Sequence, residues 1–386
     1  MFKLFGSKGK LGIDIGTSAI KIIELEKKSG RFALKNYGLF EFKSADGTPS
    51  ATESKQVQNI LKLPDGEIIW GIKEVLKKAK IKSTDVVASI PAFSTFATVI
   101  ELPYISEQDL AKAIPFEARK YIPVPLNEVV LDWSIIDIPR PRADIERPAA
   151  DVERAFGEQG PVPSAQRSGN IGTGTPTTVE VFLAAVPKDE TVRYQRIMQG
   201  AGLNLRALEL ENSALIRALL GNDLSPTVIV NIGGRSTSIV IVNRGYERVS
   251  HNYEIGGFEI TKSIARSLNV SLGKAEELKK KFGIKEIDEN VIHSAMKSLM
   301  DMMAFETRKT ITNYEEAKNQ KISKILLVGG LTNMPNFANY FQQKLGREIF
   351  LGNALARVVY PQALSPVIQE LSSTFAVATG LAIREI

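Results

Sequence analysis

With 386 residues, 44% of them hydrophobic and 24% charged, the chain is long enough for two or three domains with buried cores and has an ordinary soluble composition. Cysteine is absent and His251 and His293 are the only histidines. That excludes disulfides, thiolate and cysteine–zinc chemistry and most histidine metal sites, and it leaves a Ser-His-Asp hydrolase without a recognisable elbow. A net charge of +6 with no basic block interleaved with aromatics gives no support to nucleic-acid binding. No apolar run of about 18 residues and no signal-peptide stretch occur, so a cytoplasmic protein without a membrane span is expected.

The opening Met1–Lys10 is basic with two Phe and reads as a solubilising tail, contact with an anionic membrane surface being the alternative. Leu11–Asp14, Ile20–Glu26 and Arg31–Phe42 follow as three antiparallel strands, the last two joined at Lys28-Ser-Gly30. Ile68, Ile72, Val75, Leu76 and Ala79 have helical spacing over Glu67–Lys80. Val86–Ile90 is a strand stopped by Pro91. Residues 92–204 read as an inserted module: a strand at Thr98–Leu102, a helix capped by Ser106 and running towards Tyr121, strands at Val129–Ile138 and Val179–Val186, and a helix from Asp189 to Gly200. Pro115 implies a kink or a restart in the first of these helices. Pro139–Thr178 is rich in Pro, Gly, Ser and Ala without a hydrophobic period, and reads as a mobile loop joining two adjacent strands.

A helix is expected over Leu208–Leu220. The second half restarts with a buried strand at Val228, and strands at Thr237–Val242 and Arg248–Ile255 complete a second meander. Helices are expected over 258–268, 273–282 and 289–318, then a strand at Ile325–Val328, a helix after Pro335 and a last helix over Ser372–Ile383. Met296, Leu299, Met300 and Met303 on the long helix read as core packing rather than as a partner stripe. Three strands, a glycine turn and then helices therefore occur twice, which is the main topological clue.

The strand end Asp14-Ile-Gly-Thr-Ser18 can wrap a phosphate: Gly16 admits close backbone approach, Thr17 and Ser18 donate, and Lys21 adds charge. Asp14 suits a magnesium ion, through water. Asn231-Ile-Gly-Gly-Arg-Ser-Thr237 offers a second such turn, with Gly233, Gly234, Arg235, Ser236 and Thr237. A third strand ends at Gly329 and Gly330, followed by Asn333 and Met334, where bare backbone can face a purine or ribose.

These three segments resemble the phosphate 1, phosphate 2 and adenosine motifs of the actin, heat-shock chaperone and sugar-kinase superfamily. More narrowly, Leu11–Lys21, Gly256-Gly-Phe-Glu-Ile-Thr261 and Ala275-Glu-Glu-Leu-Lys-Lys280 resemble the PilM family of type IV pilus assembly, relatives of the division protein FtsA. The resemblance runs from Leu11 to the C-terminus except for Pro139–Thr178. It implies an α/β fold of two ribonuclease-H-like halves around a nucleotide cleft, with an FtsA-like inserted small domain. The expected divisions are 1–91 for the first part of actin-like domain 1, 92–204 for the insertion, 205–226 for a connecting helix, 227–368 for domain 2 and 369–386 for a C-terminal connecting helix. Gly256 and Gly257 resemble the glycines beneath ribose and phosphates. Glu276 and Lys279, one helical turn apart, resemble the pair flanking the nucleoside, a solvated ion pair being the alternative.

One position departs from the superfamily: the second phosphate turn usually begins with Asp, and here it is Asn231. The lost charge should weaken magnesium positioning and water activation. Glu211 is the remaining candidate to orient water, or else a helix-start carboxylate favoured by the dipole. ATP or ADP binding with slow or no hydrolysis is therefore expected. The resemblance further implies a partner: the N-terminal cytoplasmic tail of PilN, docked between the first subdomain and the insertion, and through it the PilN/PilO complex of the inner membrane. Where FtsA ends in an amphipathic membrane helix, this chain ends after a helix with Ala376, Ala378 and Gly380, so no strong anchor of its own is expected. Self-association is left open, and an FtsA-like filament protein or a small-molecule kinase of the same fold are the competing readings.

Overall fold

The computed structural model describes residues 10–42, 63–103, 105–137, 178–284 and 291–385. The readings of Met1–Lys10 as a tail and of the loop after Pro139 fall almost wholly outside these residues, as does the start of the 289–318 helix.

Strands β1 (Lys10–Ile15), β2 (Ala19–Lys28), β3 (Arg31–Glu41), β4 (Asp85–Ile90) and β8 (Asn204–Leu210) build one sheet in the order β3-β2-β1-β4-β8. Strands β9 (Thr227–Ile232), β10 (Thr237–Asn243), β11 (Tyr246–Tyr253), β12 (Lys324–Val328) and β13 (Phe350–Leu351) build a second in the order β11-β10-β9-β12-β13. The plan is the same: an antiparallel meander, then two strands parallel to its first. Even the register repeats, Asp14 lying opposite Lys21 and Asn231 opposite Ser238. A two-residue strand β14 (Val358–Val359) extends the first sheet beside β3. Central strands β1 and β9 are apolar on both faces because helices cover both, as burial on two sides requires.

The insertion follows β4. Its strands β5 (Phe96–Pro103), β6 (Val129–Asp137) and β7 (Thr178–Pro187) form a three-stranded sheet in the order β5-β7-β6. Helix α2 (Glu107–Ala118) seals one face with Leu110, Ile114 and Ala118. Ser106 caps it by accepting from the Asp109 amide at 3.2 Å, and the helix runs through Pro115 without restarting. Helix α1 (Asp65–Lys78) lies on the first sheet, and α3 (Lys188–Gly200) sends Tyr194, Ile197 and Met198 into the same core.

Two helices lie between the sheets. Helices α4 (Glu211–Leu219) and α10 (Ala376–Ala382) share a core with Val87 of one sheet and Ile229, Val240 and Leu326 of the other. A methyl on Gly12 would stand 2.0 Å from the Ala378 carbonyl, and one on Gly380 would stand 1.9 Å from that of Ala214. Contacts that close exclude any side chain. The second sheet's outer face is covered by α5 (Gly257–Leu268), α6 (Leu272–Phe282), α7 (Val291–Lys318) and α8 (Phe337–Leu345). Met296, Met300 and Met303 are fully buried in that core with Phe337 and Phe341.

Two expectations are corrected. The stretch from Leu208 is not helical at its start: residues 204–210 are a strand, and the helix begins at Glu211. Parallel pairing with β4, Ala88 opposite Leu208, overrides the helical propensity of Leu, Ala and Glu there. The single helix expected over Ser372–Ile383 is two, α9 (Ile368–Thr374) and α10, which meet at Phe375.

Candidate functional site: a cleft between two glycine hairpins

The two meanders turn in the same way. The Gly16 amide donates to the Ala19 carbonyl at 3.0 Å, and the Gly233 amide donates to the Ser236 carbonyl at 2.9 Å. At each glycine a methyl would crowd that same carbonyl, at 3.2 Å and 3.1 Å. The turns face each other and touch, since a methyl on Gly234 would fall 2.1 Å from Ser18 Oγ. The amides of Thr17, Ser18, Gly234 and Arg235 have no hydrogen-bond partner among the described residues. Four free donors grouped at two tips are what a polyphosphate needs.

Behind the first tip, Asp14 is buried. Lys21 Nζ donates to its Oδ2 at 2.9 Å and Ser89 Oγ to its Oδ1 at 3.1 Å. With both oxygens engaged, Asp14 fits a magnesium ion held through water better than one bound directly. Burial lowers the Lys21 pKa while the Asp14 charge and hydrogen bond raise it, and the net shift is upward, so the ammonium is retained.

Glu211 starts α4 and spans the two halves. Its Oε2 accepts from the Ala92 amide at 3.3 Å and its Oε1 from the Asn231 amide group at 2.8 Å. Burial, and then the nearby Asp14 charge, push its carboxyl up to about 7. A proton affinity near neutral suits a group that takes a proton from water. Asn231 thus has a partner that Asp could not serve, because a carboxylate there would face a carboxylate.

Helix α5 is stitched to the second turn: the Gly257 amide donates to the Gly233 carbonyl at 3.0 Å and Phe258 to that of Gly234 at 2.7 Å. A methyl on Gly256 would collide with those same carbonyls, at 2.7 Å and 2.6 Å. Arg235 lies over the Phe258 ring, 4.1 Å from its centroid. The Thr237 hydroxyl turns away to the Ile255 carbonyl at 2.7 Å. Lys279 reaches under the helix to the Gly257 carbonyl at 3.0 Å and to Thr261 Oγ1 at 2.9 Å, and pairs with Glu276 at 2.6 Å. This pair is no solvated surface pair: Lys279 is 7% exposed, and burial lowers its pKa against the raising effect of Glu276.

The third glycine segment joins them. Gly329 has φ +98°, and a methyl on it would stand 2.2 Å from the Ile232 carbonyl, so only glycine fits. Gly330 meets nothing within 4 Å. Asn333 is exposed and donates to Thr374 Oγ1 at 3.1 Å. The Met334 side chain packs in the second core beside Leu331 and Phe337. Pro335 accepts from the Ile284 amide at 3.0 Å, which ties this segment to the end of α6. The structure thus brings these segments together, Gly234 against Ser18, Gly256 against Gly233 and Gly234, and Gly329 against Ile232.

Sequence reasoning missed Ser89 and the Ala92 amide, which hold Asp14 and Glu211. It also named no wall of the groove beside the first turn. That groove, about 380 Å³, runs between the first sheet and the insertion, bounded by Gly16 and Thr17, Ile15 and Ile68, Pro91, Phe93 and Ser94, and Pro187, Asp189 and Tyr194. Its one sequence signal was Pro91, which ends β4 and throws the chain into the insertion.

Two sheets of one plan, joined by two helices packed between them and with glycine hairpins facing each other, define the two-lobed actin-like ATPase fold. The family described as type IV pilus assembly protein PilM matches residues 12–147 and 169–386, and the chain belongs to it. A solved PilM-PilN type IV pilus biogenesis complex superposes with a TM-score of 0.73 at 23% identity, over 97% of this chain and 98% of that one. The cell division protein FtsA of Bacillus subtilis (strain 168) is 28% identical over 150 residues, 36% of this chain. The ethanolamine utilization protein EutJ of Escherichia coli (strain K12) is 28% identical over 148 residues, 38% of this chain. The matches span 48% of EutJ and 34% of FtsA. No helix among the described residues is long and apolar enough to cross a membrane.

Proposed function

We propose that the chain is a nucleotide-binding adaptor of the type IV pilus assembly platform, which holds ATP or ADP with magnesium between its hairpins and docks the N-terminal cytoplasmic tail of PilN. The observation that carries this reading is that the groove beside the insertion and the first phosphate turn share Gly16 and Thr17. A peptide seated there touches the loop that would grip the nucleotide, so occupancy of one site biases the other. The groove walls are mainly apolar, with Phe93 partly exposed at the rim, which suits a short hydrophobic segment. Through PilN the protein would sit at the inner membrane beside PilN/PilO.

At the nucleotide, the free amides of Thr17, Ser18, Gly234 and Arg235 bind phosphate oxygens, and Lys21 adds charge from behind the first turn. Asp14 would hold a magnesium ion through water, and that ion would supply positive charge against the phosphates. Glu211 is the group placed to orient water, but Ala92 and Asn231 already engage both its oxygens. Asn231 adds no negative charge for the metal. Hydrolysis is accordingly slow or absent, and the nucleotide acts as a structural ligand. The Glu276–Lys279 pair, Gly330 and Asn333 lie on the nucleoside side.

Calorimetry with a synthetic PilN N-terminal peptide, with and without Mg-ATP, tests the reading. Binding near −8 kcal/mol, about micromolar, weakened in Phe93→Ala, is the expected result. Absence of binding in both states would remove the adaptor role, and nucleotide-dependent sedimentation into filaments would replace it with an FtsA-like one.

A further inference from the structure

Tyr194 lies one turn after Glu190 on α3, and both line the groove beside the first phosphate turn. Its ring is clamped: Tyr194 is 4% exposed and shares the first core with Ile68, Ile197 and Met198. The hydroxyl has no hydrogen-bond partner among the described residues. Nor is its oxygen sealed in the interior, as the unpartnered hydroxyl of Tyr253 is. The small part of Tyr194 left open, the hydroxyl included, therefore faces the groove that the residue lines.

Its charged neighbours on α3 are already engaged. Arg193 pairs with Asp65 at 2.8 Å and with Glu190 at 3.7 Å, and Asp189 Oδ1 accepts from the Glu190 amide at 2.9 Å. Burial, and then the charges of Asp14 and Glu190, push the Tyr194 phenol well above its ordinary range, so it stays a proton donor. In solution water serves such a donor. A segment that seats in the groove displaces that water and has to return an acceptor, because a buried donor left bare is costly. The same two carboxylates would repel an acidic side chain at this point, so the acceptor that fits is a neutral carbonyl.

We propose that the Tyr194 hydroxyl is a specificity determinant of this groove, donating a hydrogen bond to a main-chain carbonyl of the docked segment. This role rests on the groove being the docking site for a peptide, and it adds the residue that fixes the register of that peptide. Every residue of a segment carries such a carbonyl, so Tyr194 would select how the backbone lies rather than which side chains it bears. The clamped ring gives up little freedom when the bond forms, which favours binding.

The test is calorimetry of the full chain with the same synthetic PilN N-terminal peptide, comparing the unaltered protein with Tyr194→Phe. Both are then titrated with peptides in which each backbone amide in turn is replaced by an ester, whose carbonyl is a weaker acceptor. The expected result is binding at least about fivefold weaker in Tyr194→Phe, with the thermal midpoint retained. One ester position should weaken binding to the unaltered protein and leave Tyr194→Phe unaffected. That cycle reads the contact itself, so it decides even where the variant shifts the fold. Equal affinity in Tyr194→Phe, or an ester scan in which every position affects both proteins alike, overturns this role and leaves the docking reading standing. No binding to the unaltered protein removes the docking reading and this role with it.

Discussion

Ser18 and Gly234 meet across the cleft: a methyl on Gly234 would lie 2.1 Å from Ser18 Oγ and 2.5 Å from Ser18 Cβ. Each lies in the turn of a hairpin from a different half of the chain, so this contact sets how close the two hairpin tips can come. Gly234→Ala should wedge the tips apart. Overpacking of about 1–3 kcal/mol, felt in the closed arrangement, corresponds to roughly five- to 150-fold weaker Mg-ATP binding. Titration with a fluorescent ATP analogue measures it. Ser18→Gly in the same chain should recover part of the loss, because the colliding atoms are then gone.

Asn231→Asp would turn the 2.8 Å donor of Glu211 into a second carboxylate. Losing that bond and adding like charge should destabilise the protein by about 1–3 kcal/mol, read from urea unfolding midpoints. Adding Glu211→Gln should restore much of it, since a glutamine amide can donate to the introduced carboxylate in place of the lost bond. An unchanged midpoint in Asn231→Asp would show that Glu211 and Asn231 do not depend on each other.

The neighbouring glycines at the end of β12 should behave oppositely. Gly329→Ala combines positive φ with a methyl 2.2 Å from the Ile232 carbonyl, and should lower stability by about 2 kcal/mol or more. Gly330→Ala enters open space and should stay within about 0.5 kcal/mol. If bare backbone at Gly330 faces the nucleoside, its alanine variant loses nucleotide affinity without losing thermal stability.

Glu315 should contribute to acid sensitivity. Arg347 donates to both its oxygens, at 2.8 Å and 2.7 Å, and the Ile322 amide donates at 2.8 Å. These bonds, led by Arg347, hold its carboxyl down at about 2, against 4.5 for the ordinary group. A depressed folded-state pKa stabilises above the unfolded value, and that stabilisation is lost as pH falls from about 4.5 towards 2. Glu315→Gln should therefore be less stable at pH 7 by about 1–3 kcal/mol, with the difference shrinking below about pH 4. Urea unfolding across that range measures it.

The local signals were strong where chemistry is local. Buried strands ending in Gly16 and Gly233 were legible because an apolar run followed by a residue permitting close approach has few other readings. The doubled plan followed from that pattern. The strand at 204–210 was not legible, since Leu, Ala and Glu suit a helix and only β4, far back in the chain, makes them a strand. The split at Phe375 is equally a matter of what α9 and α10 pack against.

By itself the sequence determined the two hairpins, the inserted module's strands and the small residues of α10, because each is fixed by side-chain period, glycine geometry or chain punctuation. Tertiary structure alone decided that Glu211 answers Asn231, that Ser89 holds Asp14 and that Lys279 is buried under Gly257. Those relationships join residues distant in the chain. Their energies depend on burial and on which groups remain unpaired, quantities that exist only once the sheets have closed on each other.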